Sequence, residues 1–166
     1  MDLKGQQVVV PRDAAMSLCD VSASRRAAAG CRTDQEEEHM LHIVTSAKPL
    51  EVVSKDLESA VVAHKFGILG VHDLQATMAT KGVAFGRPCR IFEVCNPHQA
   101  KKVLEANLEI STALPCRISV YEEGGKTKLA TIKPTALIAL YPNPELRGVA
   151  EEVERTLEAI MADAAG

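Results

Sequence analysis

Residues 116–132, CRISVYEEGGKTKLATI, decide the fold class. Cys116 to Tyr121 alternates apolar and polar side chains, the period of a half-buried strand, and Thr127 to Ile132 is the second candidate strand. Between them stands Glu122-Glu123-Gly124-Gly125-Lys126. Paired glycines accept the positive φ that a tight turn demands, so the segment predicts a β-hairpin. Antiparallel pairing in one part of a chain makes an antiparallel sheet the expected frame for the rest.

Working backward from the hairpin, Arg90 to Cys95 predicts another strand. Cys89, Ile91, Glu93 and Cys95 share one face and Arg90, Phe92 and Val94 the other. Asn96-Pro97 then predicts a helix start, with Asn as N-cap and Pro at the first helical position. Ala100, Val103, Leu104 and Leu108 give that helix its apolar stripe. Farther back, Ile68 to His72 reads as a strand followed by a short helix that Asp73 caps and Lys81-Gly82 ends. A helix is expected over residues 55–64, where Leu57, Ala60, Val61 and His64 recur at helical spacing. Ser54 is its expected N-cap, Gly67 its stop, and Glu51 to Ser54 an opening strand.

Forward from the hairpin, Thr135 to Tyr141 is apolar and of open type. Asn143-Pro144 repeats the capping device and predicts a last helix to Ala162, with Leu146, Val149, Val153, Leu157 and Ile160 on its buried side. The expected fold is α+β: an antiparallel sheet with helices packed on one face, filling residues 48–162 as a single domain. Residues 1–40 differ. Ala, Ser and Arg dominate 13–29, residues 33–38 are polar and acidic, and no sustained apolar face runs through them. This predicts a weakly ordered N-terminal extension.

The whole chain has 166 residues, 46% hydrophobic and 25% charged, the balance of an ordinary globular domain. Three Phe, two Tyr and no Trp leave the core to aliphatic side chains. A formal charge of −3 argues against nucleic acid and against an anionic membrane surface as partners. No apolar run reaches the ~20 residues of a bilayer span, and a cytoplasmic location is expected. Five cysteines, an odd number with no CxxC pair, argue against a disulfide framework. Phosphate-loop, dinucleotide, nucleophile-elbow and HExxH signatures are absent.

Two short strings, Cys95-Asn96-Pro97-His98-Gln99-Ala100 and Leu114-Pro115-Cys116-Arg117, add a resemblance. With Phe66-Gly67-Ile68-Leu69 before them and Gly124-Gly125-Lys126 after, their order and separation resemble the domain of unknown function 302 family over residues 48–162. The resemblance implies a compact α+β fold similar in shape to the TATA-box-binding-protein fold, and a homodimer. It brings no activity and no cofactor, and shape alone does not imply DNA binding.

Cys95 is the residue best placed for chemistry. It ends a strand and precedes a capped helix, where free amides and the helix dipole stabilise a thiolate. His98 in the first turn is a candidate proton partner, and Asn96, His98 and Arg117 are candidate ligand contacts. Cys116 joins Cys95 if their strands are neighbours. The two could then exchange between dithiol and disulfide, carry sulfur or take a thiophilic ligand. The plain alternative makes both cysteines small buried hydrophobes. Three functions stay open: a thiol-based protein at Cys95 and Cys116; a non-catalytic homodimeric module for a small-molecule ligand or for regulation; and a metal-binding protein that adds His64 or His72 to the cysteines.

Overall fold

A computed structural model describes residues 40–141 and 143–166. Residues 1–39, and with them nearly all of the expected extension, lie outside the described residues. The elements in chain order are β1 (Leu41–Ser46), α1 (Leu50–Ala63), β2 (Gly67–Asp73), α2 (Leu74–Ala79), β3 (Cys89–Cys95) and α3 (Pro97–Ala106). A 3-10 turn (Leu108–Ala113), β4 (Cys116–Glu123), β5 (Lys126–Ile132), α4 (Pro134–Ile138) and α5 (Leu146–Ala165) complete the fold.

The five strands form one antiparallel sheet in the order β1-β5-β4-β3-β2. The hairpin is as expected. Glu123 pairs with Lys126 across Gly124 and Gly125, which adopt φ of 61° and 73°. Positive φ at both central positions marks the primed turn that matches the strand twist.

One face of the sheet is covered by α1 and α5. Phe92, Val94, Ile118, Val120 and Leu129 point into that layer and meet Val53, Leu57, Val61, Leu157, Ile160 and Met161. The opposite face carries Leu41, Ile43 and Ile132, each about half exposed, as well as Glu93 and Arg117. An antiparallel sheet tolerates this arrangement because alternate residues answer to different surroundings.

The start of the domain differs from expectation. Glu51 to Ser54 is not a strand but the first turn of α1, and the opening strand is Leu41–Ser46 at the sheet edge beside β5. The adjacent β-branched Val52 and Val53 favour a strand locally. Burial of Leu50, Val53, Ser54, Leu57, Ala60 and Val61 follows the helical period and prevails. Ser54 therefore caps nothing; it is a buried helical residue whose Oγ lies 3.4 Å from Arg90 Nη1. The helix ends at His64, with Lys65 at φ 62°, and Gly67 opens the next strand instead of stopping α1.

The other caps follow their sequence more closely. Asp73 accepts from the Ala76 amide at 2.8 Å, and Asn96 caps α3 with Pro97 at its first position. Asn143 accepts from the Glu145 amide at 3.0 Å, although the helix proper begins at Leu146. The undecided apolar segment after Pro134 becomes α4, whose first amide, that of Thr135, donates to Glu154 of α5 at 3.0 Å.

Candidate functional site

Where β3 and β4 end, the sheet gives way to α3, the 3-10 turn and α4. A second, smaller apolar cluster of Val103, Ile110 and Leu146 sits there, with Leu114, Ile138, Tyr141 and Val149 packed against it. Between this cluster and the sheet lies an apolar cleft. Its own free volume is about 60 Å³, and with its open mouth it spans about 600 Å³. Every element at this end contributes a wall, and among the described residues no charged side chain lines it.

Cys95 and Cys116 both line this cleft. The pairing explains how: Cys116 stands opposite Val94, the residue before Cys95, on adjacent antiparallel strands. Strict alternation would send the two thiols to opposite faces, but Cys95 is the last strand residue and the chain turns there into α3. Cys95 also borders a shallow surface groove with Ala100, Lys101, Leu104 and Leu108. Cys116 keeps a little surface toward a hollow it shares with Thr112, Arg117 and Thr131. Cys89, Cys95 and Cys116 are all free thiols.

The electrostatics run against an activated thiolate. Pro97 has no N–H. Asn96 Oδ1 accepts from the amides of His98 at 3.0 Å and Gln99 at 3.2 Å, and the Ala100 amide donates to the Asn96 carbonyl at 2.9 Å. The amides that sequence reasoning offered to Cys95 are thus already satisfied by the cap itself. Burial pushes the Cys95 thiol above its ordinary value. Burial, and secondarily the nearby Cys95, pushes the Cys116 thiol up to about 11. Both thiols are protonated near neutral pH.

Of the expected site residues, the structure brings Cys95, Cys116 and Asn96 to one cleft and leaves out two. His98 is exposed and lines none of it. Arg117 turns to the open face of the sheet, where its Nε donates to Glu93 Oε1 at 3.3 Å. The histidines of the mixed metal site are elsewhere too. His64 bonds Asp163 at 2.8 Å, and His72 lies 3.5 Å from Glu93. Among the described residues, no group of three or more His, Cys, Asp or Glu side chains is gathered closely enough to hold a metal ion.

Sequence reasoning missed Gln99. It follows Asn96 by three residues, the spacing of a capping box, in which the glutamine would reach back to the cap amide. Here its side chain lines the cleft instead, and its Oε1 is buried without a hydrogen-bond partner.

The family model for DUF302, a domain of unknown function, matches residues 42–164. This chain belongs to the DUF302 family. The structure is similar to the crystal structure of an uncharacterized conserved DUF302 protein from Bacillus stearothermophilus, with 32% sequence identity and a TM-score of 0.72. The match covers 75% of this chain and 98% of that one. No curated protein matches this DUF302 chain. Each of the two strings that carry the resemblance contributes to the cleft walls, Cys95, Asn96, Gln99 and Ala100 from one and Leu114 and Cys116 from the other.

Proposed function

We propose that this DUF302 protein is a ligand-binding module whose cleft takes a small, mostly apolar molecule, with Cys95 and Cys116 as soft, protonated wall groups. The observation that carries this reading is the uncharged cleft formed by six different elements. Preformed concave sites with apolar walls and few polar groups are the usual form of a small-molecule site. A titration with cyclopentane, followed by amide NMR, tests it. Shifts are expected at Cys95, Ala100 and Val149, and are expected to vanish in Ala113→Leu, which fills the cleft. Unmoved cleft amides, or shifts indifferent to the filling, would sink the reading.

The module works as a homodimer in this reading. The open sheet face offers Leu41, Ile43 and Ile132 next to charges of both signs, Lys128, Arg117 and Glu93. A two-fold copy of a surface with both signs can answer itself. Sedimentation should give a dimer that Ile43→Asp dissociates; a monomer at tens of micromolar would remove this part. Free Cys89, Cys95 and Cys116 fit a reducing compartment such as the cytoplasm.

A second reading keeps the thiols as the working groups, for redox exchange, sulfur transfer or a thiophilic ligand. Its support is that both cysteines face one cleft and that Cys95 also borders a surface groove. The raised thiols and the occupied amides weigh against it as nucleophilic chemistry.

A further inference from the structure

Gln99, one of the residues that line the cleft, carries a polar anomaly. Its Oε1 is buried and accepts no hydrogen bond from the described residues. Leaving a carbonyl oxygen dry and unpaired costs free energy comparable to a lost hydrogen bond, so such an atom calls for a partner. The surrounding groups do not supply one. Asn96 engages its Oδ1 with two backbone amides and its Nδ2 with the Lys65 carbonyl at 3.2 Å. The remaining walls are aliphatic or aromatic, apart from the two thiols, which make no hydrogen bond to Gln99.

We infer that the cleft selects a neutral ligand with an apolar body and a single N–H or O–H donor, which Gln99 Oε1 receives. This deepens the ligand-binding reading and rests on it. Neutrality follows from the walls: an ion entering a cleft without a counter-charge would forfeit its hydration uncompensated. The donor follows from the orphaned acceptor. The size follows from the free volume of about 60 Å³, room for roughly four to six non-hydrogen atoms when one water needs about 10–15 Å³. Larger molecules would extend into the mouth.

Pyrrole and furan test this with the full chain. Both are five-membered rings with five non-hydrogen atoms, and only pyrrole carries an N–H donor. Amide NMR titrations should show pyrrole binding about fivefold or more tightly than furan, the scale of one hydrogen bond to a buried group. In Gln99→Met the preference should fall to about one while furan binding persists. Gln99→Leu provides a second variant, and retained dispersion of the spectrum shows that each is folded. Equal binding of the two rings to the native chain, or tighter binding of furan, overturns the donor inference and leaves the cleft reading standing. A pyrrole preference that survives both substitutions overturns it as well, since Gln99 would not be the receiver. Failure of both rings to bind overturns the cleft reading itself.

Discussion

The two apolar clusters of this protein are built differently. Under α1 and α5, fifteen buried residues form one continuous layer against the sheet, and Val53, Leu57, Val61, Leu157 and Ile160 have no exposed surface. At the far end of β3 and β4, three buried residues join a 10-residue helix, a 6-residue 3-10 turn and the start of α5, with Ile138 of the 5-residue α4 packed against them. The first region is long elements with regular faces. The second sets short pieces against the start of α5 and adds specific polar contacts, such as Thr112 Oγ1 to Tyr141 Oη at 2.6 Å. In the proposed reading the contrast separates two tasks: one end supplies stability, and the other leaves room for a ligand.

Truncation should expose that contrast most strongly. Leu157→Ala removes a fully buried side chain from the centre of the large cluster and should cost about 2–5 kcal/mol in urea unfolding. Ile110→Ala, beside the cleft, should cost nearer the lower end of that range, because neighbours bordering open space can move inward. Equal losses at both positions would erase the distinction between a filled and an unfilled end.

Alkaline pH should sharpen it next. The Cys116 thiol is raised from 9.0 to about 11, first by burial and then by Cys95. Below the unfolded value both states keep the proton and pH has no effect through this group. As pH climbs from about 9 toward 11 the unfolded chain ionises first, so stability is lost through that window. The full loss through Cys116 is about 2–3 kcal/mol. Urea midpoints of the native chain and of Cys116→Ala should converge as pH rises across this window, because the alanine variant lacks this component. Parallel profiles would place the thiol in a wetter setting than the structure shows.

The same contrast explains what could be read in the sequence. The hairpin, β3 and α5 were legible because alternation or helical periodicity persists long enough to identify a face. Where both signals compete within a few residues, as at Val52 and Val53, tertiary burial decided the outcome, and β1 went unread because it lies at the edge with every other residue half open. At the cleft, Asn96 was legible as a cap, since a cap is a local device. Its consequence was not. Only the coordinates show that the cap satisfies the first-turn amides and leaves none for Cys95. Gln99 was hidden by its own spacing, which matches a capping box while its side chain faces the cleft.

The cap itself gives the smallest and most discriminating effect. Asn96→Ala should cost about 1 kcal/mol of stability, the usual value of an N-cap. It also frees the His98 and Gln99 amides, which Asn96 Oδ1 now holds at 3.0 and 3.2 Å. If occupied amides are what keep the helix from activating Cys95, their release should lower the pH at which Cys95 is alkylated by iodoacetamide. In the native chain that midpoint should stand above the ordinary thiol value, as burial dictates. An Asn96→Ala midpoint that stays as high would mean that Cys95 faces away from the amides altogether, and that desolvation alone sets its proton. A native midpoint already near neutral would reverse the ranking of the two functional readings, because the thiol would then be active despite its cap.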